Sequence, residues 1–409
     1  MTIQSVRTRD RRFPLPGGAG ADAVHRDPVY AFACTELVAD DGTVGTGFAL
    51  TLGEGNDLVC RVVEGLAQDL PGRGIEELMA DFGATCRAWA DHPRWRWLGP
   101  HKGVVHLALA SLANACFDLW AKSRGVPLWR LLLDCTPEAL VAACDFSYCE
   151  DVLTPAAAIE ILRGELRLRP SRESILRYGF PAYDTSAGWF SYDDARIERN
   201  VRQAMDAGFG AVKLKVGSPD PARDVRRAEL VRSVAGDTLR ILLDVNQQWR
   251  PDVAIERAQA LSVVDPLWIE EPTHPDDIAA HCRIAREIAP VRVAAGEHLP
   301  NRIAFKNYLA AGACHYVQAD AVRLGGVGEY LVVALMAKAH GLPTVPHVGD
   351  MGQLHQHLVL FDHVALGDPC PFLEVIPHLR DRFAFPARVE SGRYATPPEP
   401  GASTAFRES

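Results

Sequence analysis

Seven ionisable residues recur through the second half of the chain at intervals of one structural unit each. They are Lys215, Asp244, Glu270, Glu297, Asp320, His347 and Glu374, with gaps of 23 to 29 residues. Asp244, Glu270 and Glu297 form an all-oxygen, anionic set suited to a hard divalent cation such as Mg²⁺. Glu270 and Glu271 are adjacent in WIEEPT, so regular strand geometry lets only one of them be a ligand, and parity alone does not choose between them. Lys213 and Lys215, in KLK, project to the same side of a strand. Two ammonium groups near each other and near a cation each lower the other's pKa, and a lysine poised near neutrality is a competent general base. Asp320 and His347 have the types of an Asp–His pair, in which the carboxylate fixes the imidazole tautomer and raises its pKa. Glu374 can hydrogen-bond a developing oxyanion if its neighbours raise its pKa enough to keep it protonated.

The elements that carry these residues read as eight short β-rich runs alternating with helical runs. The runs are FPAYDTSAG, AVKLKVG, RILLDVNQ, LWIEEP, VRVAAGE, YVQAD, PTVPHVG and PFLEVI. Such alternation predicts a parallel sheet closed into a (β/α)8 TIM-type barrel, whose active site lies at the strand C-termini. Seven of the eight runs end in a Lys, Asp, Glu or His. A ring of charges at strand ends is costly unless the charges pair or bind an ion. Neighbouring strands are about 4.8 Å apart, so three successive carboxylates can converge on one ion. Lys215 and His347 lie well apart around the ring and would flank a substrate from different sides.

Upstream, AFACTELV and GTGFALTL read as a β-hairpin joined by ADDGTV, with a DG turn. Helical patterns follow in NDLVCRVVEGLAQDL, IEELMADFGATCRAWA and VVHLALASLANACFDLWAKSRG. We read residues 1–135 as an α+β capping domain. Residues 136–178 read as a helical insertion, 179–385 as the barrel, and 386–409 as a short hairpin and tail returning to the cap.

With 409 residues, 48% hydrophobic and 23% charged, the chain can build more than one core without disulfides or structural metals. The formal charge of −9 is spread along the sequence, which argues against nucleic acid or an anionic membrane as partner. Ten scattered cysteines without a CxxC pair fit a reducing compartment. MTIQSVRTRDRRFPLP lacks an apolar signal core, and no run of about 18 uncharged apolar residues is present, so a cytoplasmic protein without membrane spans is expected. A homo-oligomer is the default expectation.

The ordered set KLKVG, LLDVNQQW, WIEEPT, AAGEH, ADAVRLGG and PHVG resembles the enolase superfamily, in its mandelate-racemase-like branch, over nearly the whole chain. Within that branch the likeness is nearest to the L-fuconate dehydratases, carried by RFPLPGGAGADAVHRDPVY, YDTSAGWFSYDD and the insertion before it. The resemblance implies Mg²⁺ held by Asp244, Glu270 and Glu297, which selects Glu270 over Glu271. It implies Lys215 as base, Lys213 on the substrate carboxylate, Asn246 touching substrate, His347 as acid oriented by Asp320, and Glu374 supporting an enediolate. Gly20, Ala21, Asp22 and Tyr30 match a cap loop that closes over a sugar chain. Two segments depart from the family pattern: VGDMGQLHQH after His347, where glycines and a glutamate are expected, and FLEVIPHL. The implied activity is hydro-lyase chemistry on a small sugar acid, giving a 2-keto-3-deoxy acid, with L-fuconate the expected substrate. A racemase or epimerase using the same two bases, and a non-catalytic binding barrel, are the alternatives.

Overall fold

The first sheet contains a strand that the sequence reading passed over. In the computed structural model, which describes residues 1–407, β1 (Ile3–Pro14) pairs antiparallel with β2 (Val29–Ala39), from Ile3 opposite Ala39 to Pro14 opposite Val29. Its run of arginines and polar residues hides the pattern, yet such charges are common on an edge strand, where they discourage further pairing. β2 continues into β3 (Val44–Leu52) through a turn with Gly42 at φ 85°.

The helix Gly103–Ser123 packs on β3. A Cβ on Gly47 would lie 2.3 Å from Ala115 N and 2.4 Å from Ser111 O, so only glycine allows this approach. By length and composition the helix could cross a bilayer, but it carries Asp118, so it is not an uncharged apolar run, and 89% of its apolar window is buried inside the protein. The predicted helix over 75–90 is two, Ile75–Ala80 and Phe82–Ala90. Asp81, at φ −142°, breaks it and lets Gly83 lie against the Cys144 carbonyl. The segment 136–178 folds into four short helices, and Thr136 and Thr154 cap two of them with proline following.

The second sheet is parallel through β4 (Phe180–Gly188), β5 (Ala211–Lys215), β6 (Arg240–Asp244), β7 (Pro266–Glu270), β8 (Val293–Ala295) and β9 (Tyr316–Val317). β10 (Leu373–Val375) pairs with β4 on the other side. PTVPHVG is not a strand. A single bridge joins Thr344 to Val317, because Pro343 and Pro346 remove the donors a ladder needs. Among the described residues no pairing links that stretch to β10, so the ladder does not run unbroken around the ring.

β11 (Val389–Glu390) and β12 (Arg393–Tyr394) form the expected hairpin, but it adds to β4 of the second sheet rather than to the cap. The tail then crosses to the first sheet. Ala402 N donates to Asp118 Oδ1 at 2.6 Å, and the hydroxyls of Thr404 and Thr46 lie 2.8 Å apart. All ten cysteines are unpaired.

Candidate active site

Register assembles the centre of the site. Lys215 stands opposite Asp244, and Asp244 opposite Glu270, so neighbouring strands deliver a cation and two carboxylates at one level. The period-two alternation of β5 sends Lys213 and Lys215 the same way, as expected, and both are buried. Lys215 Nζ lies 2.5 Å from Asp244 Oδ2. Lys213 Nζ lies 2.7 Å from Glu374 Oε1, 3.1 Å from Glu270 Oε1 and 3.5 Å from Asp244 Oδ2. Ligand-capable oxygens of Asp244, Glu270 and Glu297 all fall within 4.8 Å of one another.

Glu271 leaves the strand at φ 45° and turns to a separate polar group, with His298 Nδ1 at 2.8 Å and Gln247 Nε2 at 2.9 Å. Geometry therefore groups Glu270 with Asp244 and the lysines, the choice that parity could not make. Glu297 lies between the two groups, close enough to Glu271 and His298 to form a second ligand-capable trio.

The pKa directions correct two expectations. Burial alone would lower the Lys215 pKa, but Asp244 outweighs it and the net direction is upward; Lys213 is raised likewise by Glu270 and Glu374. Lys213 does lower Lys215, as anticipated, but the charge of Asp244 weighs more. Burial would also raise Glu374, yet Lys213 and His347 hold it down at about 2. Glu374 is therefore an ionised partner of Lys213, not a protonated donor. Glu270 moves the other way, up to about 8, through burial and the charge of Asp244.

Asp320 and His347 form the expected pair, with Nδ1 2.7 Å from Asp320 Oδ2. The other ring nitrogen, Nε2, faces Glu297 Oε2 at 3.3 Å. Burial opposes the imidazolium, but Glu297 and Asp320 outweigh it and push the His347 pKa up to about 10.

A cavity of about 230 Å³ opens over these groups. Gly20, Asp22, Tyr30, Lys213, Lys215, Asn246, Glu297, His347 and Glu374 line it. Ala21 is buried instead, its carbonyl accepting the Phe190 N–H, so it fastens the cap loop rather than facing the cavity. Gly20 sits at φ 73°, where a Cβ would meet Tyr30 at 2.8 Å. Asp22 accepts from the backbone N–H groups of Val24 and His25, and pairs with His25 Nδ1 at 3.0 Å. Asn246 is buried at φ 50°, and its Oδ1 has no partner.

Sequence reasoning missed several groups here. His25, Trp189, His298, Arg323 and Met351 also line the cavity, and Trp189 places its ring 5.6 Å from Lys215 Nζ. Their signals were present, since each lies within a segment singled out above, but none is among the acids, lysines and histidine of the strand-end series.

The carboxylates fit a divalent cation. Four buried acids, Asp244, Glu270, Glu297 and Glu374, face two lysines, and the Glu297 Oε2 atom accepts no hydrogen bond. The charge of Asp244 helps push Glu270 up, and a cation joining the cluster would relieve that repulsion between carboxylates.

The enolase C-terminal domain-like family profile matches residues 196–409. The chain belongs to the enolase superfamily. Superfamily relatives match it over nearly its whole length. Mitochondrial enolase superfamily member 1 of Homo sapiens is 40% identical over 99% of this chain and 94% of its own. The crystal structure of that human protein superposes with a TM-score of 0.95 at 39% identity, covering 99% and 94% of the two chains. L-galactonate dehydratase of Hypocrea jecorina is 39% identical, covering 100% of this chain and 92% of its own. A racemase from Streptomyces coelicolor A3(2), crystallised with bound magnesium, has a TM-score of 0.78 at 26% identity, covering 99% and 97%.

Proposed function

We propose that this chain is a magnesium-dependent acid-sugar dehydratase that removes the C2 proton and C3 hydroxyl of an aldonate. The observation that carries this reading is the placement of Lys215 and His347 on either flank of one carboxylate cluster. Lys215 touches Asp244, His347 touches Glu297, and those two carboxylates lie within 4.8 Å of each other. Asp244, Glu270 and Glu297 would hold Mg²⁺. When bound, the ion would offset the charge that builds on the substrate carboxylate as the C2 proton leaves, a contribution of several kcal/mol.

The protein's own groups do the rest. Lys215, as the neutral amine, takes the C2 proton; it loses its own proton more readily once Asp244 shares its charge with a cation. The C–H electron pair moves toward the carboxylate. His347, as imidazolium, gives a proton to the C3 oxygen, which departs as water. Such acid assistance is worth about 10²- to 10⁴-fold. The resulting enol tautomerises to a 2-keto-3-deoxy acid. Lys213, held by Glu374, orients the substrate carboxylate, and Asn246 offers its unpartnered oxygen to a substrate hydroxyl. Asp22 and Tyr30 line the cavity and read substrate hydroxyls, with Gly20 giving the loop its bend. The second sheet is inferred to close as a (β/α)8 barrel, with the cap spanning 1–135 and the tail completing it.

L-Fuconate is 6-deoxy-L-galactonate, so the fuconate likeness and the L-galactonate dehydratase relative point to one stereochemical series. Leu50, Leu52, Met351 and Ile376 give the cavity an apolar wall, which suits a methyl or hydroxymethyl end better than a second carboxylate. The test is a screen of aldonates and aldarates with Mg²⁺, scored by 2-keto acid formation. L-Fuconate or L-galactonate should lead; turnover of aldarates alone would overturn the substrate assignment. A second reading, racemisation at C2, is favoured by the likeness to the Streptomyces racemase; inversion at C2 without loss of water would establish it.

A further inference from the structure

Polar contacts behind His347 continue past Asp320 into segment 348–357, whose buried Asp350 and His355 the proposed reaction does not use. His355 opens the helix Leu354–Phe361 and is fully buried. Its Nε2 lies 3.1 Å from Asp320 Oδ1, and its Nδ1 lies 2.6 Å from Asp350 Oδ1. Asp350 is itself tied down: its Oδ2 accepts from Gly352 N at 3.1 Å and from Leu354 N at 2.8 Å. Asp320 is held from both sides. Its Oδ2 faces His347 Nδ1, and its Oδ1 accepts from Val322 N at 2.9 Å beside the His355 ring. Gly349 presses close as well, since a Cβ there would come within 2.5 Å of Asp320 Oδ2. The result is an unbroken buried line, His347–Asp320–His355–Asp350.

We propose that Asp350 and His355 are positioning residues for the acid side of the reaction. They fix the Asp320 carboxylate, so that His347 keeps its proton-bearing Nδ1 on Asp320 and presents Nε2 to the C3 hydroxyl. The proposal rests on the dehydratase reading. Its physical basis is that a partner group behind a catalytic imidazole sets the ring's tautomer and orientation. A buried polar network rigidifies only when every member is satisfied, and here Asp350 supplies the last anchor. Burial opposes a charge on His355, but Asp320 and Asp350 outweigh it and push its pKa up to about 9. The Ala321 N–H, 2.9 Å from Nε2, instead asks for a lone pair there. That neutral state keeps Nδ1–H on Asp350 but turns a lone pair toward Asp320, so the hold on Asp320 is the imidazolium's, whose Nε2 lies 3.1 Å from Oδ1.

The experiment uses the full-length protein with Mg²⁺ and compares D350N and H355Q with wild type. Dehydration is followed by 2-keto acid formation, and proton abstraction by exchange of the substrate C2 proton in D2O. Dehydration should fall on the order of 10- to 100-fold, while C2 exchange, which Lys215 performs, stays near the wild-type rate. Equal loss of both rates would mean a merely structural role and overturn the proposal. The imidazole ¹⁵N–¹H spectrum gives a readout without turnover, with His347 assigned by its absence in H347N. Wild type at neutral pH should show His347 as the imidazolium with its Nδ1–H held on Asp320, and both variants should shift or broaden that Nδ1–H signal. Unmoved His347 signals in a folded variant would overturn the proposal, and isosteric D350N supplies that reading should H355Q not fold. If wild type dehydrates no aldonate yet the His347 signals move, the dehydratase reading fails and the positioning role stands.

Discussion

Lys213 Nζ and Glu374 Oε1 stand 2.7 Å apart, and each side chain is only 1% exposed. The pair joins β5 to β10, two strands separated in the ring by β4. It fixes the electrostatics of the site, because it makes Glu374 an anion and so unable to donate to an oxyanion.

Removing one member of such a pair leaves the other charge buried and under-compensated. E374Q should therefore destabilise the protein by about 3 kcal/mol, the scale seen when a buried pair is broken. Urea unfolding at neutral pH measures this. A change near zero would mean that Glu270 and Asp244 suffice for Lys213.

A second buried network gives a pH prediction. Glu329 lies 2.5 Å from His106 Nε2 on the cap helix and 2.7 Å from Arg302 Nη1. Burial would raise its pKa, but His106 and Arg302 outweigh it, so the folded value lies below the ordinary 4.5. A depressed folded pKa contributes stability that is full above the unfolded value and is lost as pH falls below it. E329Q should cost about 3 kcal/mol at pH 7, and the gap to wild type should narrow below pH ~4.5. Unfolding curves that stay parallel down to pH 3 would contradict this.

Much of the site was legible because its chemistry is periodic. Strand C-termini recur once per βα unit, so Lys215, Asp244, one of Glu270 and Glu271, and Glu297 could be read as one set from spacing, while the choice of Glu270 came from the resemblance. β4 matched its expected run, Phe180–Gly188, residue for residue. The seventh run failed because its prolines were outweighed by its apolar residues, and β1 failed because its arginines look like a loop. The pKa directions of Lys215 and Glu374 were beyond the sequence. Each depends on which oxygens lie within about 3 Å, a distance that strand order leaves open. His355 and Asp350 were visible as residues but not as partners of Asp320, since that contact depends on where the segment after His347 turns back.

Metal dependence follows from the three clustered carboxylates. Chelation should abolish turnover reversibly, and E297Q should weaken Mg²⁺ binding on the order of 10- to 100-fold, as measured by calorimetry. Mg²⁺ at 100 times its Kd should stabilise wild type by about 2.7 kcal/mol. Full activity in metal-stripped protein would refute this.

The central claim, that Lys215 is the base and His347 the acid, is tested by separating proton abstraction from water loss. NMR in D2O follows both, with K215A and H347N folded and loaded with Mg²⁺. H347N should still exchange the C2 proton, slowly and without product, because Lys215 and the carboxylate cluster remain. K215A should lose both exchange and dehydration, because His347 lies across the cluster beside Glu297 and cannot take its place. Exchange retained in K215A and lost in H347N would reverse the two roles and contradict the account.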